Sequence, residues 1–278
     1  LYTNHMDNSW QSISSNTTSG YTSATYNFSV NLSEFRDRGL MFDLTGQVSS
    51  TDRRVTYNGS DWWFSNTVAD FIYHYNSSFH NQTNGFPAPS GSIYSLANNG
   101  TELGMHDLVT DAFYRYYFNG TQISSCSLQN AGGNLNYISL DYGTDGTIWV
   151  VDDVAGTNNT IWHLRADCTN LTGAFDISIR INVPNGMVFD GASFWVIGSD
   201  EMFYEFDTSG NLLTNLSLLT IFDTTSTTSF LGLTRDRSDS SIENLYLTDN
   251  SPNEVTALSR KITGSFNWNC LAYDNNSQ

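Results

Sequence analysis

Apolar residues occur along the 278-residue chain in short runs bounded by Gly, Asn, Asp and Ser. No window of three helical turns has apolar residues at i, i+3, i+4 and i+7 and also lacks β-branched and turn residues. Short alternating runs that are rich in aromatic residues dominate instead. This pattern is typical of an all-β protein with many short strands.

One unit, an Asp-Gly or Asn-Gly turn followed by an aromatic strand, recurs along the chain. Its glycines are Gly59, Gly146 and Gly191, with a weaker member at Gly100, so the spacings are 41, 46 and 45 residues. Each turn is followed by a second aromatic strand that runs into a polar turn; these strands lie at 71–76, 114–120, 160–167 and 203–210. Four short strands per 40-odd residues is the size of one β-propeller blade.

We therefore predict an all-β propeller, most simply of six blades of four antiparallel strands. Five blades are expected at 51–90, 91–134, 135–183, 184–226 and 227–266, the last of them degenerate. The sixth would combine 267–278 with 24–50, because strands from both chain ends close the ring and remove exposed sheet edges. Residues 24–278 then form a single domain, and 1–23 form a polar N-terminal extension with no predicted place in the ring.

The repeats resemble those of six-bladed propellers of the NHL-repeat kind and their gluconolactonase-like relatives. The shared pattern is "Asp-Gly, x, aromatic, Trp-Val, Asp" followed by "aromatic, x, Phe-Asp, x, x, Gly", best seen at 145–167 and 189–213 within a resemblance that covers roughly 39–278. The resemblance implies six blades and, for an enzyme of that kind, a divalent cation held in the central channel. Similar turns occur in other propellers, so seven blades and an eight-stranded sandwich pair are alternatives.

Acidic residues near the ends of the inner strands are the candidate ligands for such a cation: Asp141, Asp152, Asp153, Asp200 and Asp249. Carboxylate oxygens suit a hard cation. Asp at a strand end also caps turns, and no Asp-x-Asp-x-Asp-Gly loop is present. We therefore predict turn-capping roles, and we assign no catalytic residue, metal ligand or cofactor.

Histidine and tryptophan give no stronger indication of a site. The histidines, His5, His74, His80, His106 and His163, never occur with zinc-ligand spacing, and there is no Gly-x-Ser-x-Gly motif. His74 and His163 fall at equivalent repeat positions, which favours packing against the neighbouring blade.

The tryptophans also recur at one repeat position, which is occupied by Trp62 or Trp63, Trp149 and Trp195. We therefore interpret them as core residues and not as platforms for sugar rings. Trp162 is a further aromatic of the repeat.

Composition narrows the possible partners. The chain has 28 acidic and 11 basic residues, a formal net charge of −17, and a single lysine, Lys261. Nucleic-acid binding needs a basic footprint, so no nucleic-acid partner is expected. No run approaches the roughly 20 apolar residues of a membrane helix, so no membrane span is expected. Residues 1–18 are polar, and we expect any targeting peptide to have been removed already.

Three cysteines, Cys126, Cys168 and Cys270, are too scattered for a zinc site. One disulfide of undetermined pairing plus a free thiol is one interpretation, and three buried unpaired cysteines is the other.

Twelve Asn-x-Ser/Thr sequons indicate the compartment more strongly, although 30 Asn among 35 Ser and 30 Thr should produce about seven by chance. Many fall in expected turns, where a glycan has room. The expected glycosylation sites are Asn16, Asn27, Asn31, Asn58, Asn76, Asn81, Asn99, Asn119, Asn158, Asn170, Asn215 and Asn275.

These observations favour a secreted or surface-displayed, N-glycosylated propeller that serves as a structural or interaction module, for example as a subunit of an extracellular fibril, coat or surface layer. Its partners would be further copies of itself or other extracellular proteins. The alternatives are a metal-dependent lactonase, esterase or lyase on the same scaffold, and a glycan- or peptide-binding propeller. Both rest on fold analogy alone.

Overall fold

The computed structural model describes residues 2–4, 10–12, 24–28, 35–43, 54–66, 69–131, 137–153, 159–171, 173–222, 230–238, 244–249, 254–260 and 266–270. The chain divides into two compact units, Glu34–Lys261 and Leu1–Ser33 with Ile262–Gln278. The smaller unit contains β1 (Tyr2–Asn4) paired with β2 (Trp10–Ser12), and β3 (Ala24–Phe28) paired with the last strand, β24 (Phe266–Cys270).

The larger unit is a propeller of four-stranded antiparallel sheets that begins with β4 (Phe35–Asp43). Blade I contains β5 (Val55–Tyr57), β6 (Asp61–Asn66), β7 (Phe71–Asn76) and β8 (Phe86–Pro87). Blade II contains β9 (Ile93–Asn98), β10 (Glu102–Asp107), β11 (Ala112–Tyr117) and β12 (Gln122–Ser127). Blade III contains β13 (Tyr137–Tyr142), β14 (Ile148–Asp152), β15 (Thr160–Leu164) and β16 (Phe175–Asp176). Blade IV contains β17 (Pro184–Phe189), β18 (Ser193–Gly198), β19 (Met202–Asp207) and β20 (Leu212–Ser217).

Blade V is closed by the N-terminal part of the chain. Its own strands are β21 (Phe230–Arg235), β22 (Asn244–Asp249) and β23 (Glu254–Arg260), and β4 pairs with β23 as the fourth strand. The register runs from Glu254 opposite Asp43 to Arg260 opposite Phe35. One strand of the N-terminal region thus hydrogen-bonds to β23 and becomes the outermost strand of blade V, which gives this blade four strands like the others.

The all-β propeller of four-stranded antiparallel blades is confirmed, but the expected count of six is wrong: there are five blades. The innermost strands β5, β9, β13, β17 and β21 contact one another in sequence, and β21 contacts β5, so the ring is already complete. Residues 24–50 were expected to form a sixth blade with 267–278. Instead β4 joins blade V, while β24 pairs with β3 in the other unit.

Hydrophobic side chains of the propeller pack between blades. Each of the five buried clusters of the described residues joins two neighbouring blades, and together they cover all five blade boundaries. Trp63, Trp149 and Trp195, at matching positions on the second strands, are 2%, 7% and 1% exposed. The tryptophans are therefore core residues, as the repeat pattern predicted.

Tight turns connect first and second strands where the sequence predicted them. The turn residues Gly146 and Gly191 have φ of +81° and +100°, a region that residues with a Cβ rarely adopt. Short helices follow the outer strands of two blades, a 3-10 helix at Leu128–Ala131 and α1 at Leu218–Ile221. Within the described ranges, no helix has the length and apolar character needed to cross a bilayer.

Candidate functional site

The two ends of the ring are where a propeller most often binds ligands. We call the end at which the innermost strands begin the N-terminal mouth, and the end at which they finish the C-terminal mouth. Arg54, directly before β5, lies at the N-terminal mouth and donates from Nη1 to the backbone oxygen of Asn185 on β17 (3.1 Å). Blades I and IV are not neighbours, so this arginine crosses the axis of the ring. Its guanidinium also lies 5.6 Å from the ring centre of Tyr94, and the residue is 6% exposed.

A second arginine crosses the ring at the C-terminal mouth. Arg237, just after β21, donates from Nη2 to Asp141 Oδ1 and to the backbone oxygen of Tyr142 (3.2 Å) on blade III. The other carboxylate oxygen of Asp141 accepts from the backbone N–H of Phe189 on blade IV (2.8 Å). Asp141 therefore links three blades, and it is 5% exposed. Both mouths are thus crossed by side chains of the protein itself.

The inner strands are also joined by neutral hydrogen bonds at repeated positions. Ser95 Oγ accepts from the N–H of Leu140 on the next blade (2.7 Å). Ser139 Oγ, one blade further on, accepts in the same way from Met187 (3.0 Å). Hydroxyl groups at this position thus fix the position of one inner strand along the ring axis relative to the next strand. They connect the inner strands of blades II, III and IV.

The five aspartates considered as cation ligands do not come together. Asp152 ends β14 on the side of the N-terminal mouth, where it accepts from the N–H of Thr160 (2.6 Å) and from Trp162 Nε1 (2.8 Å). Burial raises the pKa of Asp152, and burial also raises that of Asp153 beside it. Asp141, by contrast, lies at the opposite mouth. The sequence therefore found polar positions of the ring, but not a shared centre.

The other two of these aspartates belong to separate blades. Asp200 accepts from the N–H of Met202 (3.2 Å) and from the hydroxyl of Tyr204 (2.5 Å). Burial, the larger cause, and the contact with Asp200 together raise the pKa of Tyr204 to about 12. Asp249 ends β22 and is 6% exposed. Within the described ranges, no group of three or more His, Cys, Asp and Glu side chains is arranged to hold a metal ion.

His74 and His163 do occupy equivalent positions, but they stack within their own blades. The ring of His74 lies on Trp63 (4.6 Å between centres, 3° between planes), and that of His163 lies on Trp149 (3.8 Å, 4°). Each tryptophan then contacts a phenylalanine of the next blade. The expected contact with the neighbouring blade is therefore made by the tryptophan of each pair. His5 lies outside the described residues, and His80 is exposed.

His106 is a buried titratable group for which no role was predicted from the sequence. It lies on β10 opposite Ser95, has no exposed surface, and contacts the ring of Tyr137 edge-on at 5.7 Å. Neither ring nitrogen has a hydrogen-bond partner within the described part of the chain. Burial lowers the pKa of His106 to about 3, opposed by the charge of Asp107 and reinforced by that of Arg54. The imidazole is therefore neutral at ordinary pH.

The structure pairs Cys126 with Cys168, whose Cα atoms are 5.8 Å apart. Cys126 belongs to the outermost strand of blade II, and Cys168 to the turn after the third strand of blade III, so the disulfide joins two blades at their rims. A groove of about 610 Å³ opens beside it. The groove is lined by Arg115, Ser124, Ser125, Cys126, Arg165, Ala166 and Asp167. Cys270 lies in β24.

Arg115 of this groove belongs to a network that connects the same two blades. It forms a two-pronged ion pair with Glu102, both N–O distances being 2.8 Å. Glu102 also accepts from the hydroxyl of Tyr142 on blade III (3.2 Å). Burial is the main cause of the raised pKa of Tyr142, to which the charge of Glu102 adds. The blade II–III boundary is therefore held by a disulfide at the rim and by this network further in.

Several sequons lie in exposed turns. Asn81, Asn119, Asn170 and Asn215 are exposed, and Asn58, Asn76 and Asn99 are half-buried. Asn27 belongs to β3. Four further sequons, Asn16, Asn31, Asn158 and Asn275, lie outside the described residues.

The residues that cross the mouths were missed because they show no repeat pattern. Arg54 and Arg237 are single departures from the repeat, and the useful signal was a charged residue beside an inner strand in a chain with only 11 cations. Searching for cations at inner-strand ends would have found both.

Comparison with known proteins supports the fold alone. No family model and no curated protein matches the chain. Among solved structures, it is similar to Myxococcus xanthus glutaminyl cyclase, with 9% identity, a TM-score of 0.59, and coverage of 86% of this chain and 98% of that chain. It is also similar to a chain of the nidogen/laminin complex, with 16% identity, a TM-score of 0.53, and coverage of 77% of both chains.

A further match, to Raptor of Chaetomium thermophilum, has 13% identity, a TM-score of 0.46 and coverage of 76% of this chain, which spans only 20% of the Raptor chain. At such identities a likeness extends to architecture and not to activity. The chain is a five-bladed β-propeller, and its membership in the NHL-repeat or gluconolactonase-like group stays a prediction.

Proposed function

We propose that this protein is an extracellular, N-glycosylated β-propeller that serves as a rigid structural or interaction module, for example as a subunit of a fibril, coat or surface layer. The observation that carries the proposal is the Cys126–Cys168 bond between blades II and III. Structural disulfides persist in oxidising compartments and are rare in the cytosol. A cross-link between blades also suits a module that must keep its shape outside the cell.

The arrangement of the ring supports a structural role. Arg54 and Arg237 each tie together blades that are not neighbours, and Asp141 accepts bonds from two further blades. These contacts add to the clusters between neighbouring blades, so opening any one boundary strains the others. A module built in this way can carry load through its outer turns without changing shape.

The geometry of the turns supports glycan attachment. In Asn58-Gly59-Ser60, Oδ1 of the asparagine accepts from the backbone N–H groups of Ser60 (2.9 Å) and Asp61 (2.8 Å). In Asn119-Gly120-Thr121, Oδ1 accepts from the N–H of Thr121 (3.0 Å). These two turns use only the oxygen of the side chain, whereas a glycan is attached through the nitrogen. A sugar can therefore be carried without loss of these turns. In the equivalent turn at Asn99, Nδ2 also donates to Glu102 Oε1 (3.2 Å).

The same turn is also built with aspartate. Asp145 Oδ1 accepts from the N–H of Thr147 (3.1 Å), and Asp167 Oδ1 accepts from that of Thr169 (3.0 Å). The hydroxyl contact with the threonine is the main cause of the lowered pKa of both aspartates. Asx-x-Ser/Thr is thus a turn motif of this propeller, and aspartate is a natural substitute that no glycosyltransferase modifies.

This equivalence provides a matched test of the glycan. Native protein should lose mass in steps when treated with an N-glycan-releasing enzyme, with occupied sites found by mass spectrometry. Asn119→Asp should remove one glycan and keep the fold, whereas Asn119→Ala should remove the glycan and the turn contact. Native material that carries no glycan at any sequon would contradict this part of the proposal.

Assembly is tested separately. The polar residues 1–20 are the proposed contact with a neighbouring subunit, so their deletion should convert an assembling protein to monomers by light scattering. A deletion variant that assembles to the same size as the full chain would contradict the role of this segment. A full chain that stays monomeric, and that co-purifies with no other extracellular protein, would contradict the proposal that this protein is a structural or interaction module.

A further inference from the structure

The last residue pair between the first and second strands occupies an equivalent position in every blade. The first-strand member of this pair is uncharged in four blades: Tyr57, Asn98, Tyr142 and Phe189. These side chains fill their places between blades; Asn98, for example, donates to Thr56 Oγ1 (2.7 Å) and to the backbone oxygen of Tyr57 (2.9 Å). In blade V the position holds Arg235, opposite Leu245.

Arg235 is buried, and among the described residues it lacks the partners that a buried guanidinium normally has. It is 8% exposed, and its Nε is fully buried with no hydrogen-bond partner. No hydrogen bond or ion pair of its side chain is formed with any residue in the described ranges. Burying such a group unpaired is unfavourable, so a native structure that does so calls for an explanation such as a bound ion, an ordered water or a functional role.

The charges around Arg235 come from three blades at the C-terminal mouth. They are Arg237 of its own blade, Asp141 of blade III and Asp190 of blade IV. Burial, reinforced by the charge of Arg237, lowers the pKa of Arg235. The guanidinium therefore lies in a dry environment, close to a like charge.

Both neighbouring carboxylates are engaged elsewhere. Asp141 binds Arg237 and the N–H of Phe189. Asp190 accepts from the N–H and Oγ of Ser193 and from Trp195 Nε1 (3.0 Å). Among the described residues, neither of them forms a hydrogen bond or an ion pair with the side chain of Arg235, so its guanidinium keeps donors for a ligand.

We propose that the C-terminal mouth is a binding site for the carboxylate group of a small ligand, which Arg235 receives beside Arg237. The planar fork of a guanidinium matches a carboxylate with two parallel hydrogen bonds. A singly charged group is favoured over phosphate because Asp141 and Asp190 place two negative charges near the two arginines, and because the whole chain carries a charge of −17. The site is built from this chain alone and needs neither a metal nor a glycan.

Acetate is the simplest probe. The unfolding temperature is measured at pH 7 in sodium acetate and in sodium chloride of equal ionic strength. At an acetate concentration about ten times Kd, binding to the folded state should raise the midpoint by about 2–3 °C over chloride. Arg235→Met should abolish the difference, and Arg180→Met, which removes an exposed arginine of another blade boundary, should keep it.

Line broadening of ¹³C-acetate in the presence of the protein gives a direct measurement. Arg235→Lys keeps the positive charge but loses the paired N–H donors of the guanidinium, so it should weaken acetate binding at least fivefold. If Arg235→Met does not fold, the lysine variant tests whether Arg235 binds acetate. The proposal is overturned if wild type shows neither the shift nor the broadening, if Arg235→Lys binds acetate as wild type does, or if inorganic phosphate binds more tightly than acetate.

Discussion

Acid should destabilise this propeller mainly through one side chain, His106. The imidazole is fully buried between blades II and III, beside Tyr137, and the charged groups that act on it are Asp107 and Arg54. Its two nitrogens have no hydrogen-bond partner among the described residues. Protonation would place a charge in this dry position, with only Asp107 to favour it.

The sign of the effect follows from the direction of the shift. The pKa of His106 is about 3 in the folded protein and 6.5 in the unfolded chain. The unfolded chain therefore binds the proton first as the pH falls. The contribution of neutral His106 to stability is complete above about pH 6.5 and is lost progressively towards pH 3. The loss amounts to about 2 kcal/mol at pH 5 and about 3 kcal/mol at pH 4.

The assay is urea unfolding at pH 7 and pH 5, with His106→Met as the test variant. Methionine adapts to the shape of the site and cannot be protonated, so the variant should lose about 2 kcal/mol less than wild type between the two pH values. His80→Gln, which removes an exposed histidine, should keep the wild-type difference. Equal losses for wild type and His106→Met would refute the assignment of acid sensitivity to His106.

Three further predictions concern contacts between and within blades. The disulfide between Cys126 and Cys168 links residues that are 42 positions apart, and reducing it or changing both cysteines to serine should cost about 4 kcal/mol by loop entropy, measured by urea unfolding with and without reductant. Asp141→Ala leaves Arg237 uncompensated in a buried position and should cost about 3–5 kcal/mol, whereas the pair with Arg237→Met should cost much less than the sum; additive losses would contradict the coupling. Asp145→Ala should cost about 1 kcal/mol in thermal unfolding through loss of its turn, and Asp145→Asn should cost little, because the amide oxygen accepts the same bonds.

Much of the architecture was predictable because it is locally encoded. Residues such as Gly146 and Gly191 marked tight turns, and the predicted boundaries of blades I to IV enclose all the strands observed in them. The tryptophans at one repeat position were rightly interpreted as core. The pairing of β4 was missed, because an edge strand is chosen by backbone hydrogen bonds across more than 200 residues, and a short apolar run does not specify its partner.

The aspartates at strand ends show the same difference between what the sequence predicts and what the tertiary contacts decide. Asp141 and Asp152 look alike in sequence, each at the end of a strand, yet the first binds an arginine 96 residues away and the second closes a hairpin within its own blade. Which mouth a side chain faces depends on strand direction, and which charges it meets depends on blades that are distant in the chain. Sequence therefore identified polar positions, but not the arginines that cross the ring.

The sequence by itself determined that the chain forms short antiparallel strands in four-stranded repeats, where the turns lie, and which aromatic residues are buried, because these depend on neighbours within a few residues. The tertiary structure decided the rest: five blades instead of six, closure by a strand of the N-terminal region, the partner of Cys126, and the burial of Arg235 and His106. Ring closure and burial are properties of the assembled sheet, in which blade geometry and long-range contacts act together, and no local pattern encodes them.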